Sequence, residues 1–249
     1  MLVGAKPPVT FFAYPGKPSW GAPDGCRFFQ LAHEHEDGAM ALDALDRALG
    51  AGSGAPVVRL PLALPDLPKG PLTAQTVAQA MANLTPEHTI VADEGATSSL
   101  ALFAAMARAR PYDHLSLTGG SIGLGLPLAI GAALACPDRK VICPHGDGGA
   151  AYTMQALWTM ARENLDITTV IFANRSYAIL NIELQRVGAI GAGAKALSML
   201  DLHRPEMNWM QIAQGLGVQA SRATTSEEFV AQYSSAMQQR GPRLIEALI

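Results

Sequence analysis

The chain has 249 residues, of which 49% are hydrophobic and 16% are charged, with a net charge of −3. This composition indicates a compact globule of one large or two modest domains and excludes a disordered chain. The sequence has no run of Lys or Arg, no spanning apolar stretch and no secretion signal, so nucleic acid and membrane are not expected partners. Its three cysteines form no Cys-x-x-Cys pair, and we therefore expect reduced thiols in a cytoplasmic protein.

The first seventy residues predict a small α/β segment and a linker. Short strands are predicted over 9–13 and 27–31, and apolar residues at helical spacing predict a helix over 37–49. The stretch 51–70 is rich in Pro, Gly and Ala, which is typical of a linker. Two strands and one helix cannot bury a core, so residues 1–50 are predicted to be an incomplete domain.

From residue 71 to residue 249, strands and helices alternate at lengths typical of α/β proteins. Strands are predicted over 88–93, 114–117, 140–143, 167–173 and 243–248. Helices are predicted over 73–82, 98–108, 122–136, 152–163, 209–215 and 226–239. Such alternation predicts a doubly wound, mostly parallel sheet with helices on both faces.

One stretch combines glycine, carboxylate and amide residues around a single strand–helix–strand crossover. Asp147 lies between Gly146 and Gly148, and Asn174 follows after the next predicted strand. Because a parallel crossover returns both loops to the same edge of the sheet, the two side chains would meet there. Their oxygens suit a small divalent ion shared with a phosphate, and the glycines and helix N–H groups suit the phosphate itself.

This spacing resembles the Gly-Asp-Gly-to-Asn signature of the thiamine diphosphate-dependent enzymes. The similarity to the acetolactate synthase and benzoylformate decarboxylase group covers most of the chain, including the stretches 146–158 and 175–180. Many members carry Asn-Asn where this chain has Ala173 followed by Asn174. The segment 11–18 is similar to the end of the family's middle domain. The resemblance therefore implies a middle-domain remnant over 1–50 and the diphosphate-binding domain over 71–249.

The resemblance implies a Mg²⁺ site made of Asp147, Asn174 and the backbone carbonyl of Ser176. Diphosphate oxygens and a water would complete the octahedral shell. The alternatives are that Asp147 caps the following helix and that Asn174 is a plain turn residue.

The resemblance also implies residues that bind the cofactor. The loop of Gly146, Gly148 and Gly149 would surround the diphosphate, and the carbonyl of Gly120 would accept a hydrogen bond from the aminopyrimidine. Ile122 matches the bulky apolar residue that holds the family's cofactor in its bent shape, with core packing as the alternative.

Two further residues, Thr97 and Tyr177, keep two interpretations at this point. Thr97 would contact the diphosphate or cap a helix, and Tyr177 would wall the pocket or belong to the core. His145 precedes the Gly-Asp-Gly turn, but the family keeps no fixed His there, so we interpret it as structural. Trp158 lies in an apolar helix, and we expect it in the core.

In the family, a Glu of the pyrimidine-binding domain activates the cofactor, and no Glu of this chain can be given that role. We therefore expect no catalytic residue here. The expected function is the diphosphate- and Mg²⁺-binding portion of a thiamine diphosphate-dependent 2-oxo acid decarboxylase or carboligase, acetolactate synthase-like and inactive alone. The alternatives are a benzoylformate decarboxylase-like enzyme, an incompetent fragment, and one subunit of a split enzyme.

The expected partners follow from the same resemblance. They are a 2-oxo acid substrate, a pyrimidine-binding domain or polypeptide, and further copies of the chain, as a dimer or tetramer, in the complete enzyme. Decarboxylation and carboligation both remain open, as does the identity of the 2-oxo acid.

Overall fold

The computed structural model describes residues 1–10, 12–50, 60–189, 191 and 193–249. The chain forms two compact units, one of Met1–Arg59 with Glu183–Gly191 and one of Leu60–Ile182 with Ala192–Ile249. Most of the predicted linker, 51–59, lies outside the described residues, as does Phe11. Within the described residues, no helix has the length and apolarity needed to cross a membrane.

In the described part of Met1–Arg59, the smaller unit contains two short strands and one helix. β1 (Leu2–Val3) and β2 (Gln30–Ala32) pair in parallel, and α1 covers Gly38–Leu49. The predicted helix is therefore confirmed, and the second predicted strand lies slightly further along the chain. In the described part of 9–13, the predicted strand is wrong, because Val9 makes only an isolated bridge with Trp20.

The larger unit contains six strands, all parallel to their neighbours. They are β3 (Ile90–Ala92), β4 (Asp113–Leu115), β5 (Val141–Gly146), β6 (Ile167–Ala173), β7 (Gln219–Ala223) and β8 (Arg243–Leu248). Its helices are α2 (Ala74–Leu84), α3 (Ser99–Met106), α4 (Gly125–Ala135), α5 (Asp147–Ala150), α6 (Ala156–Arg162), α8 (Ala194–Ser198), α9 (Trp209–Gly215) and α10 (Ser226–Gln238). A 3-10 turn covers Thr118–Gly120, and α7 covers Ala178–Arg186.

The strands of this sheet follow the order β4-β3-β5-β6-β8-β7. From β3 the chain first moves outward to β4 and then returns to place β5 on the other side of β3. The order of the strands therefore reverses between β3 and β5, and ligands of open α/β sheets bind at such a point, beyond the carboxyl ends of the strands.

Two apolar cores cover the two faces of the sheet. On one face α4, α6 and α9 pack over alternate strand residues such as Ile167 and Ile171. On the other face α2, α3 and α10 pack over Val170 and Phe172. This alternation along β6 is what a strand buried on both sides requires, and it confirms the predicted doubly wound sheet.

Several predicted boundaries are corrected by turns. The helix predicted over 122–136 begins only at Gly125, and the one predicted over 152–163 begins only at Ala156, because turns and bends precede both. Trp158 is 51% exposed and packs under the guanidinium of Arg162, so the expectation that it lies in the core is wrong. The sequence analysis did not predict β7, α7 or α8.

Candidate cofactor and metal site

The carboxyl ends of β3, β5 and β6 meet at one edge of the sheet. β5 and β6 pair in register from Val141 with Ile167 up to Gly146 with Phe172, so the loops that follow them begin side by side. Beyond β3, the N–H of Glu94 donates to the carbonyl of Pro144 (2.9 Å), and the N–H of Gly146 donates back to the carbonyl of Glu94 (3.0 Å). Backbone hydrogen bonds therefore join the segment after β3 to the end of β5 at this edge.

Asp147 joins the two loops that the sequence predicted to meet. It is 3% exposed, and its Oδ2 accepts the backbone N–H of Arg175 at 2.6 Å, while its Oδ1 accepts the N–H of Gly148 at 2.8 Å. The N-cap of α5 is Gly146, so the alternative that Asp147 caps this helix is wrong.

Burial raises the pKa of the Asp147 carboxyl, although the N–H groups of Arg175 and Gly148 and the charge of Arg175 act in the opposite direction. The guanidinium of Arg175 pairs with Glu206 at 3.6 Å. Burial therefore destabilises the charged form of this carboxylate more than its neighbours stabilise it. A bound cation would stabilise the charged form.

Asn174 follows β6 and forms a local turn. Its Oδ1 accepts the backbone N–H of Ser176 at 3.0 Å, which is the plain turn role named as an alternative. An amide oxygen has two lone pairs, so one hydrogen bond leaves capacity for a metal ion. Ser176 itself is held through its Oγ, which donates to the carbonyl of Leu200 at 3.3 Å.

These oxygens fit Mg²⁺ in kind. One carboxylate, one amide oxygen and one backbone carbonyl are hard ligands, and Mg²⁺ usually keeps water and phosphate oxygens in its remaining positions. Among the described residues, no group of three or more His, Cys, Asp or Glu side chains could hold a metal ion. A site here therefore depends on the amide, the carbonyl and the ligand's own oxygens.

The glycines of the turn allow close approach of other groups. A Cβ at Gly148 would lie 2.5 Å from the ring of Tyr177, and a Cβ at Gly149 would lie 2.8 Å from Oε1 of Glu94. Tyr177 thus lies against the glycine turn and is only partly buried, so it does not belong to the core. Burial, Tyr152 and the charge of Asp147 raise the pKa of its phenol.

The segment 118–125 forms a turn beside the Gly-Asp-Gly loop. Gly120 is exposed and has a positive φ of 65°, a backbone conformation that glycine adopts without strain. Ile122 is 42% exposed, so the alternative that it packs in the core is wrong. The carbonyl of Gly123 accepts the hydroxyl of Thr153 at 2.8 Å, which connects this turn to the segment after α5.

Thr97 lies in the turn between β3 and α3. The helix begins at Ser99 with Ser98 at the N-cap, so Thr97 is not the cap residue. Its side chain is partly buried. Contact with the diphosphate stays a prediction for Thr97, as it does for the other residues assigned by resemblance.

The structure adds Glu94 to this site, a residue to which the sequence analysis gave no role. Glu94 is 4% exposed and accepts the backbone N–H groups of Gly123 and Gly125, each at 2.6 Å. The available signal in the sequence was a carboxylate directly after a buried strand. Its partners are the N–H groups of glycines that are distant in the sequence. Every residue except proline has a backbone N–H, so a pattern of residue types does not reveal such partners.

Comparisons with known proteins agree with this geometry. The family model described as thiamine pyrophosphate enzyme, C-terminal TPP binding domain, matches residues 93–247. A Mycobacterium tuberculosis protein provisionally named acetolactate synthase large subunit IlvX is 49% identical over 250 residues, which cover 100% of this chain and 48% of the relative. Benzoylformate decarboxylase of Pseudomonas aeruginosa is 33% identical over 75% of this chain and 35% of the relative.

Solved structures show the same relationship. The Rhodococcus jostii thiamine diphosphate-dependent 4-hydroxybenzoylformate decarboxylase matches with a TM-score of 0.71 and 26% identity, over 87% of this chain and 40% of that one. A thiamin diphosphate-dependent enzyme from Mycobacterium smegmatis matches with a TM-score of 0.65 and 26% identity, over 86% of this chain and 39% of that one. The chain thus spans about half the length of the curated relatives it matches, or less. It belongs to the thiamine pyrophosphate enzyme family and carries that family's C-terminal, cofactor-binding domain.

Proposed function

We propose that this chain is the diphosphate- and Mg²⁺-binding portion of an acetolactate synthase-like enzyme that acts on 2-oxo acids. The main observation in support of the proposal is the hydrogen bond from the backbone N–H of Arg175 to the Asp147 carboxylate, which connects the two predicted metal-binding loops. The 49% identity to the Mycobacterium tuberculosis protein supports the acetolactate synthase-like label.

In this proposal, each part of the site has one task. Asp147, Asn174 and the carbonyl of Ser176 hold Mg²⁺, and Gly146, Gly148 and Gly149 form the turn beside the diphosphate. The raised pKa of Asp147 supports this assignment, because a buried carboxylate gains most from a cation. Bound thiamine diphosphate would supply an electron sink for the bond next to a 2-oxo acid carbonyl.

The residues beside the turn would bind the rest of the cofactor. Thr97 would contact the diphosphate, Tyr177 would close the side of the pocket, and the carbonyl of Gly120 would accept a hydrogen bond from the aminopyrimidine. The exposure of Ile122 supports a contact with the cofactor, because an apolar side chain with 42% of its surface in water gains from such cover.

A benzoylformate decarboxylase-like activity is the second candidate, and the 33% identity to the Pseudomonas aeruginosa enzyme supports it. In both cases a pyrimidine-binding domain or polypeptide and a homo-oligomer would complete the enzyme. The free thiols of Cys26, Cys136 and Cys143 support the proposed cytoplasmic location.

The test of the metal site is calorimetry of thiamine diphosphate binding to the chain, with Mg²⁺ or with a chelator. We expect binding that requires Mg²⁺ and that Asp147→Ala abolishes. Asp166→Ala is the control, because Asp166 is a partly buried carboxylate that pairs with Lys140, next to the amino ends of the strands and away from the proposed site. Equal binding by the Asp147→Ala variant and the parent would contradict the proposal.

A further inference from the structure

A buried carboxylate beside the proposed site holds a turn through two backbone hydrogen bonds. Oε1 of Glu94 accepts the N–H of Gly123 and Oε2 accepts the N–H of Gly125, both at 2.6 Å. Burial raises the pKa of Glu94, but its contact with His145 and the two glycine N–H groups more than offset this and lower the pKa below its ordinary value. Both oxygens of the side chain are therefore engaged as hydrogen-bond acceptors.

His145 connects the same carboxylate to the Gly-Asp-Gly turn. Its Nε2 lies 3.2 Å from Oε2 of Glu94, and its Nδ1 donates to the carbonyl of Gly146 at 3.0 Å. The ring is fully buried. Glu94 thus lies between two loops that are separate in the sequence. They are the turn around Gly123 and the loop that begins at Gly146.

Two glycines beside this carboxylate have no room for a side chain. A Cβ at Gly125 would lie 2.8 Å from the ring of His145 and 2.9 Å from Cβ of Glu94. A Cβ at Gly149 would lie 2.8 Å from Oε1 of Glu94. Glycines at these positions therefore let both loops approach Glu94 closely, and its side chain is buried.

We propose that Glu94 is a positioning residue of the cofactor site, which fixes the turn carrying Ile122 relative to the Gly146–Gly149 loop. Gly123, which directly follows Ile122, is held from both sides. Glu94 accepts its N–H, and the hydroxyl of Thr153 donates to its carbonyl at 2.8 Å. Because the diphosphate and the rings belong to one molecule, the distance between these two loops determines whether both ends of the cofactor are bound at once. This inference rests on the proposed function.

The first measurement is amide hydrogen exchange by NMR on the chain without cofactor. In Glu94→Gln, one acceptor oxygen is replaced by an NH₂ group that faces an N–H donor, so one hydrogen bond is lost. We expect the protection of Gly123 or Gly125 to fall at least tenfold, with Val170 in the buried strand β6 unchanged. Protection equal to the parent at both glycines would overturn the proposal.

The second measurement separates a positioning role from a merely structural one. The dissociation constants of Mg²⁺-thiamine diphosphate and of Mg²⁺-pyrophosphate are compared by calorimetry, because pyrophosphate uses only the diphosphate end of the site. In Glu94→Gln we expect the affinity for thiamine diphosphate to fall about tenfold and the affinity for pyrophosphate to stay within about twofold. Equal weakening of both ligands, or of neither, would overturn the proposal.

Two further variants make the result decisive. Glu246→Gln is the matched control, because Glu246 is also fully buried and accepts the N–H of Met210 and the guanidinium of Arg222, outside the site. It should leave the ratio of the two constants unchanged. Glu94→Asp replaces Glu94→Gln if the latter does not fold, since the shorter side chain cannot reach both glycines. The same change in the ratio of the two dissociation constants is expected.

The outcomes distinguish this inference from the proposed function. If the parent binds neither ligand, the proposed function and this inference both fail. If the parent binds both ligands and the variant leaves the ratio of the dissociation constants unchanged, only this inference is overturned.

Discussion

At the scale of single residues, the oxygens of the proposed metal site already have hydrogen-bond donors. Asp147 accepts two backbone N–H groups and Asn174 accepts one, and all of these donors belong to the same two loops. Side chains held in this way lose little conformational freedom when an ion binds, because the folded chain has already ordered them. The site is thus preorganised by its own turns.

Ile122 offers the sharpest test at this scale. Since 42% of its surface is exposed, Ile122→Ala should change the free energy of unfolding of the cofactor-free chain by less than about 0.5 kcal/mol. Leu126→Ala is the control a few residues away, where a fully buried side chain in α4 should cost about 2 to 5 kcal/mol. Urea unfolding measures both values, and a loss of 2 kcal/mol or more for Ile122→Ala would restore the interpretation of a core residue.

In the complete enzyme, the same substitution should separate chemistry from binding. With the pyrimidine-binding part restored, Ile122→Ala should lower kcat at least tenfold and raise the cofactor dissociation constant less than threefold. The turn itself stays in place in this variant, so Mg²⁺, the diphosphate site and the proposed contact with the Gly120 carbonyl still anchor the molecule. Steady-state kinetics and cofactor titration measure the two effects. If cofactor affinity fell by as large a factor as kcat, Ile122 would contribute only to cofactor binding.

At the scale of elements, one buried hydrogen bond joins two helices on the same face of the sheet. The hydroxyl groups of Tyr233 in α10 and Thr85 at the end of α2 lie 2.9 Å apart, and both residues are buried. Tyr233→Phe should lower the free energy of unfolding by about 1 to 2 kcal/mol, since it leaves the Thr85 hydroxyl without a partner. The double variant with Thr85→Val should be less destabilised than the sum of the two single variants, and additive losses in urea unfolding would contradict this pairing.

The same tyrosine predicts the behaviour of the chain at alkaline pH. Burial raises the pKa of Tyr233 well above its ordinary value of 10.0. The folded chain therefore keeps a proton that the unfolded chain releases, so stability is full below about pH 10 and is lost as the pH rises above it. Thermal unfolding between pH 9 and pH 11 should show a falling Tm in the parent and a weaker fall in Tyr233→Phe; parallel curves would contradict the assignment.

The predicted elements differ in how well local pattern determines them. β6 reads Ile-Thr-Thr-Val-Ile-Phe-Ala and is buried throughout, so its apolar, β-branched run predicted it correctly. β7 reads Gln-Ala-Ser-Arg-Ala and lies at the edge of the sheet, beside β8. An edge strand buries less apolar surface, and only its pairing with β8 makes it a strand, so its sequence carries little signal.

At the scale of the whole molecule, the buried glutamates are already engaged. Among the described residues, Glu94 and Glu246 are the buried ones, and each accepts hydrogen bonds from the chain itself. The chain spans about half the length of the curated relatives it matches, or less. The resemblance to the family implies that the activating Glu belongs to the pyrimidine-binding domain, and the engaged glutamates support the expectation that this domain supplies anchoring groups rather than that base.

We therefore expect the purified chain to show no cofactor-dependent consumption of pyruvate or benzoylformate, even with saturating thiamine diphosphate and Mg²⁺. The expected rate is that of the chain-free control, because binding without activation of the cofactor gives no turnover. A coupled assay of carbon dioxide release measures it. Turnover that depends on the cofactor would show that the chain contains its own base, and the partners of Glu94 would be the first residues to vary.

The sequence by itself determined the alternation of strands and helices and the interval between Asp147 and Asn174. Both depend on contacts that are local or repeat along the chain, and a parallel crossover then places the two residues at one edge for any sheet of this class. The interpretation of single side chains was less secure, as the exposed Trp158 shows, since burial depends on what packs against a helix or turn.

Only the tertiary structure decided which side chains share the site with those two residues. Glu94 follows a different strand from Asp147, and its partners are the backbone N–H groups of two glycines. A backbone N–H is the same donor whichever residue carries it, so it does not distinguish these glycines from other positions. No residue pattern records such a partnership. It forms because β5 pairs with β3 on the side opposite β4, which brings the turn around Gly123 and the loop at Gly146 to the same carboxylate.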